Sequence, residues 1–383
     1  MIKSLEGARG LAAVFVSLFH FGVALYLPPI AHGYIFVDLF FVLSGFVITA
    51  TYSQRITSIA DLKPFLIRRF GRLFPLMIFA TLLYVIAFDL IIWAKRLLVD
   101  LGHTGLLTNP EALTYMVPSL AELGGTVLFA QGMGVFDHLI LNKVSWSISV
   151  EFYTYVVFAV LWVACRGKAR IVASVVLALA GVALTTWSTL SIHDCLNKGF
   201  CYDVSYDFGF ARCIGAFFLG ALSFQVSKLV SLNANKAQAL TLAILVGLFG
   251  FIKQYPALAF AFPFVFAMLV VAICRDTGFV ATFFQRKSLQ ILGQRSFSMY
   301  MLHPVVLLLI GPLTTKINRI GSPVTGAVVT GLAIVAYVAV IVVISGWSYA
   351  KIESPSRAWF GRLAQPSRTT GTTVGGPAKG LSS

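Results

Sequence analysis

The sequence predicts an all-α fold: a polytopic membrane protein with about ten transmembrane helices in one bundle. Three observations carry this. Of 383 residues, 58% are hydrophobic and only 11% charged, with a mean hydropathy of +0.88; a soluble globular chain carries about 25% charged and ~45–50% apolar residues. Apolar stretches of the length a bilayer needs, about 17–25 residues, recur along the chain. The basic residues, 29 against 14 acidic, gather in alternate connections between those stretches.

Taken in order, the predicted spans run near 7–27, 33–52, 73–94, 144–165, 171–190, 209–227, 238–252, 257–274, 296–313 and 324–347. The seventh is the shortest, and 119–135 reads as a partial or re-entrant segment. With the N-terminus placed in the cytoplasm, 21 of the 29 Lys and Arg fall in inside segments, as the positive-inside rule requires. Both termini are therefore expected on the cytoplasmic side of a multi-pass protein. The +15 net charge then reports topology and contact with anionic membrane lipids, and nucleic acid is not an expected partner. Residues 1–350 form one membrane domain. Residues 351–383 are read as a cytoplasmic tail, Gly-, Ser-, Thr- and Pro-rich from 363 on, disordered and too short for a second catalytic domain. The first span carries Arg9 early and lacks a small-residue cleavage site, so no cleavable signal peptide is expected. Cys195 and Cys201 share a short outer loop where a disulfide and two free thiols both stay open. No metal-ligand spacing appears, and no metal is expected.

Charged and ionisable residues inside spans are costly and point to function. In "GARGLAAVFVSLFHFG", Arg9 and His20 stand eleven residues apart, nearly three helical turns, so they share a face with roughly 16 Å between them. Snorkelling of Arg9 to the interface and packing of His20 are the bland readings. Asp38, the lone acid in "GYIFVDLFFVLSGFVIT", lies at a depth that matches His20 across a hairpin. A carboxylate facing an imidazole would fix its tautomer and raise its basicity, as a general base needs. In "FLIRRFGRLFP", Arg69 and Arg72 share a helix face near the membrane surface, and guanidinium forks suit phosphate oxygens. Glu151 lies two turns into the fourth span, with Ser147 one turn earlier on the same face. Tyr300 and His303 fall in the ninth span, and Arg212 sits at the edge of the sixth.

Together these stretches resemble the acyltransferase type 3 family, integral-membrane O-acyltransferases of bacterial surface and secreted glycans. The opening "SLEGARGLAAVFVSLFHF" has the family's Arg, ten residues, then His. "GYIFVDLFFVLSGF" matches its Gly-x-x-x-Val-Asp-x-Phe-Phe-Val-x-Ser-Gly-Phe run, and Arg69 and Arg72 match its Arg-x-x-Arg element. "WSISVEFYTY", "FARCIGAFFLGAL" and "SFSMYMLHP" follow in the family's order, so the resemblance spans residues 4 to 347. Glu6 departs from the Asp or Gln of many relatives. The resemblance implies ten core helices in a bacterial inner membrane and an acyl-CoA donor used as co-substrate, with no bound cofactor. It also implies His20 as the essential residue, with Arg9, Arg69 and Arg72 serving the donor. Some members carry a fused esterase-like domain, for which this sequence leaves no room.

The expected function is transfer of an acetyl or similar short acyl group from cytoplasmic acyl-CoA to a hydroxyl of an extracytoplasmic glycan, such as exopolysaccharide or lipopolysaccharide O-antigen. His20, Asp38 and Glu151 are the catalytic candidates, with Arg9, Arg69 and Arg72 for the donor. Ser44, Ser147, Arg212, Tyr300 and His303 are the substrate-pocket candidates. His20 is expected near mid-membrane and Glu151 near the acceptor end, with a structural pair between Glu151 and Arg212 as its alternative. The rival function is a transporter or flippase with His20, Asp38 and Glu151 as a proton relay, and a third is a non-catalytic export subunit. The glycan, the acyl group, the nucleophile and the oligomeric state are open at this stage.

Overall fold

The computed structural model describes residues 2–21, 28–102, 113–317 and 323–365, with side chains outside 311–327. Every described regular element is helical. Ten long helices occupy the ten predicted spans: α1 (Lys3–His20), α2 (Phe36–Tyr52), α3 (Leu62–Asp100), α4 (Trp146–Ala164), α5 (Lys168–Ser191), α6 (Gly209–Leu229), α7 (Ala234–Phe251), α8 (Phe262–Ile273), α9 (Ser296–Ile317) and α10 (Pro323–Ser348). Eight helical stretches among the described residues are long and apolar enough to cross a membrane. The protein is an all-α, multi-pass membrane protein.

Two boundaries differ from the sequence reading. The third helix starts eleven residues early, because "LKPFLIRRFG" continues the helix through Pro75 toward the basic end of the bundle. The tail does not begin at 351: a π-helical turn, Tyr349–Glu353, leads into α11 (Ser354–Leu363). This segment is tied down. Arg68 donates to the Ala364 carbonyl at 3.1 Å, Phe360 packs on Phe70, and the buried Glu353 accepts from Ser298 Oγ at 2.8 Å. The tail proper, 366–383, and the end of the first span, 22–27, lie outside the described residues.

The bundle is built around α6. Cβ atoms at Gly45 of α2 and Gly220 of α6 would each overlap the backbone of the facing helix, and Gly181 of α5 and Gly215 of α6 repeat the arrangement. Small residues at a crossing let helix backbones meet, which supplies packing where lipid offers no hydrophobic drive. α6 is thereby clamped between α2 and α5, which fixes Arg212 against Asp38. The loop from α5 to α6 is held by a Cys195–Cys201 disulfide, so the bridged form is the one present. Tyr34 donates to the Cys201 carbonyl at 2.9 Å and His193 pairs with Asp207 at 2.6 Å, pinning that loop over the end of the bundle where α1 finishes.

Candidate active site

Three adjoining cavities run through the bundle. The first, about 200 Å³, opens at the end where α1 begins and is lined by Glu6, Arg9, Thr51 and Arg72. The second, about 40 Å³, is a neck lined by Arg9, Arg72, Ser147, Glu151 and Tyr300. It has room for a few waters at most. The third, about 210 Å³, lies at the far end and is lined by His20, Tyr34, Lys143, Trp146, Asp203 and Arg212. Arg9 and Arg72 wall both the first cavity and the neck, while Val37 and Tyr300 wall both the neck and the third cavity. The three therefore lie in line.

The shared helix face of Arg9 and His20 is what places them at the two ends of this line. His20 is the last residue of α1 and not a mid-helix residue, so its ring reaches the far cavity with Lys143 and Asp203. Val16, one turn back, accepts from His20 Nδ1 at 2.9 Å. A carbonyl can only accept, so Nδ1 carries a proton, and in the neutral ring it is then Nε2 that keeps the lone pair. That is the protonation form a base needs, and a backbone carbonyl supplies it.

Asp38 does not face His20. Its carboxylate is fully buried and taken by Arg212, whose Nη2 donates at 2.7 Å and Nε at 3.1 Å. Arg212 also donates to the carbonyls of Tyr34 at 2.9 Å and Val204 at 3.1 Å. Arg212 lines the same cavity as His20, so Asp38 lies toward that end of the bundle, but its partner arrives from 174 residues further on. Asp38 ties α2 to α6 and, through Arg212, to the loop between α5 and α6, while the group that holds the His20 ring is the Val16 carbonyl.

Glu151 likewise pairs differently from both expectations. It lines the neck beside Arg9 and Arg72, away from the far cavity and from Arg212. Its Oε1 accepts from Ser44 Oγ at 2.6 Å and from the Tyr155 hydroxyl, and those two hydroxyls lie 2.8 Å apart. Ser147 Oγ is 2.7 Å from the Tyr300 hydroxyl, and both reach the Val144 carbonyl. His303 stands behind His20 with ring centroids 4.9 Å apart. Its Nδ1 reaches the Tyr300 carbonyl at 2.7 Å, and its buried Nε2 has no hydrogen-bond partner among the described residues.

The arginine pair divides its work. Arg72 faces the cavities. Arg69 turns into an aromatic cage instead, 5.3 Å above Tyr52 and 5.8 Å above Tyr155, with a 3.2 Å bond to the Tyr52 hydroxyl. No carboxylate lies within 4 Å of Arg9 or Arg72 among the described residues. Neither guanidinium is engaged by a carboxylate among the described residues, so both keep donors free for an anion on one cavity wall, with Glu6 and Glu151 as the acids that line the same cavities. Sequence reasoning missed Tyr155, although its i+4 spacing from Glu151 was readable. It also missed Asp203, which only the folded loop brings to His20.

Comparison with known proteins places this arrangement. A family model described as an acyltransferase domain matches residues 2–349. Among curated proteins, the chain is 26% identical over 384 residues to a putative peptidoglycan O-acetyltransferase, YrhL of Bacillus subtilis, covering 93% of this chain and 55% of that one. It is 24% identical over 376 residues to the peptidoglycan O-acetyltransferase OatA of Listeria monocytogenes, covering 93% and 56%. Protein 2 in the picA locus of Rhizobium radiobacter is 33% identical over 156 residues, covering 37% of this chain and 78% of that protein. The chain thus spans a little over half the length of the two O-acetyltransferases. No solved structure matches it significantly. Because the family match takes in all ten long helices and every residue placed around the three cavities, the chain belongs to this acyltransferase family.

Proposed function

We propose that the protein transfers an acetyl or similar short acyl group from acyl-CoA, supplied on the cytoplasmic face, to a hydroxyl of a glycan on the other face. The observation that carries this reading is the line of cavities from the Arg9 and Arg72 anion site to the His20 base. Phosphates of the CoA head would bind at the first cavity, with the pantetheine arm spreading the neck past Glu151 and Tyr300. His20 Nε2 would take the proton of an acceptor hydroxyl as its oxygen attacks the thioester carbonyl. The tetrahedral intermediate then collapses, the carbon–sulfur bond breaks, and the leaving CoA thiolate takes the proton held on His20 Nε2, which restores the base. The narrow neck keeps bulk water from the thioester. The two relatives named as peptidoglycan O-acetyltransferases make cell-wall glycan the first acceptor class to test. The Asp38–Arg212 pair takes one member out of the proton relay that a transporter would need.

The test is vectorial. In sealed vesicles of known orientation, labelled acyl-CoA on the cytoplasmic face should label glycan supplied only on the opposite face. Labelling that requires both substrates on one face would overturn the scheme.

Arg72 and Arg69 separate in donor titrations. Arg72→Ala should raise the donor KM about tenfold or more, the scale of a lost charge-assisted contact, with acceptor KM little changed. Arg72→Lys should recover only part, because a point charge does not reproduce a fork. Arg69→Ala acts through Tyr155 and Glu151, so it should lower kcat more than donor affinity. Equal effects on donor KM from both alanine variants would refute this division.

A further inference from the structure

We propose that Asp203 is the acceptor-binding carboxylate of the far cavity, taking a hydrogen bond from a hydroxyl of the incoming sugar and holding that sugar against His20. This deepens the O-acyltransferase reading and rests on it.

Four observations place it. Asp203 and His20 wall the same 210 Å³ cavity, together with Ser205, Lys143, Tyr34 and Trp146. Aromatic faces beside a carboxylate and a hydroxyl are the chemistry that grips a sugar ring: apolar C–H faces stack, and hydroxyls donate. Second, the Asp203 side chain is 41% exposed, while its neighbour in the ion pair, Arg212, is 1% exposed and 3.8 Å away. That separation exceeds hydrogen-bond distance. Arg212 already spends its donors on Asp38, Tyr34 and Val204. Asp38 also matches its charge, so the Asp203 charge is surplus to the Arg212 network.

Third, Asp203 accepts no hydrogen bond among the described residues, whereas Asp207, four positions on, is bonded to His193 at 2.6 Å. One acid of this loop does structural work, and the other lines the cavity with neither oxygen hydrogen-bonded among the described residues. Fourth, the backbone is forced to present it. Tyr202 holds φ +68° with its side chain fully buried, 5.6 Å under the Arg212 guanidinium. A bulky residue in the left-handed region is strained and persists only where its surroundings over-determine it. Here the disulfide at Cys201 and the Val204 carbonyl bond to Arg212 fix the residues on either side.

The full-length chain in detergent is assayed with acetyl-CoA against a panel of soluble acceptors: the N-acetylglucosamine–N-acetylmuramic acid disaccharide, chitotriose and a uronic-acid-containing oligosaccharide. On whichever acceptor wild-type protein uses, Asp203→Asn should raise acceptor KM about tenfold or more, the scale of a lost hydrogen bond to a charged group. Donor KM should stay within about twofold, and Asp203→Glu should recover part of the loss. The thermal midpoint of Asp203→Asn should match wild type. Acceptor KM unchanged in Asp203→Asn, or donor and acceptor KM rising together with a lowered thermal midpoint, overturns the assignment of Asp203 alone. Failure of wild-type protein to acylate any member of the panel counts against the O-acyltransferase reading itself, and the assignment falls with it.

Discussion

His20→Ala should reduce acyl transfer by about 10²–10⁴-fold, the contribution typical of a positioned general base, while the protein still accumulates and melts like wild type. The two halves of that expectation have separate causes. Loss of activity follows from the lone pair on Nε2, which the Val16 carbonyl keeps available by holding the proton on Nδ1. Retention of the fold follows from position. His20 is the last residue of α1 and is exposed to the far cavity, so its removal leaves no buried charge or collapsed core. His20→Gln tests the tautomer argument further: an amide keeps a polar contact to Val16 but has no basic nitrogen, and it should be as inactive as Ala. Activity within about tenfold of wild type in either variant would return His20 to a packing role and move the chemistry elsewhere. His303, behind it, is the control. Its ring is buried and bonded to the Tyr300 carbonyl, so His303→Ala should cost stability as well as rate.

Much of this architecture was legible from the residue order. Apolar runs placed all ten long helices, and the eleven-residue spacing of Arg9 and His20 put them on one face. What was not legible has a common physical origin. Helical periodicity says which residues share a face, and hairpin length says which share a depth, but neither says which face a distant helix will present. Asp38 and His20 do lie toward the same end of the bundle. α6 arrives 174 residues later, and its guanidinium outbids the imidazole because it offers parallel donors to both carboxylate oxygens. Glu151 shows the same limit. Its depth suggested the acceptor end, yet the helix turns it toward Ser44 and Tyr155 at the neck. Asp203 was invisible for another reason: a loop acid has no period, and only the disulfide and the Tyr202 backbone aim it. The helical segment 354–363 was read as tail because it follows the last apolar run, carries Arg357 and Arg362, and has Pro355 early. Docking on α3 through Phe360 overrides that preference.

The pairing of Asp38 with Arg212 makes the second strong expectation, a failure of folding in place of a failure of chemistry. Both side chains are fully buried, and the guanidinium binds Asp38 of α2, the turn at Tyr34 that leads into it and the loop between α5 and α6 at once. Asp38→Asn keeps the shape and removes the charge, leaving the buried Arg212 cation with Asp203 at 3.8 Å, beyond hydrogen-bond distance, as its nearest carboxylate among the described residues. Breaking a buried pair from one side costs about 3–5 kcal/mol, a large share of a typical domain's stability of about 5–15 kcal/mol. The variant should therefore accumulate poorly and melt well below wild type, and Arg212→Met should do the same. Combining Asp38→Leu with Arg212→Met removes both charges, and apolar replacement of a buried ion pair is often neutral. The double variant should regain part of the lost stability, though not all, because the Tyr34 and Val204 carbonyls lose their donor. Activity then separates the two roles. If Asp38 only builds the fold, the double variant should regain turnover in step with its stability. If Asp38→Asn instead inserted and melted like wild type while turnover alone collapsed, the carboxylate would be acting on His20, and the division of labour between Val16 and Arg212 would be wrong.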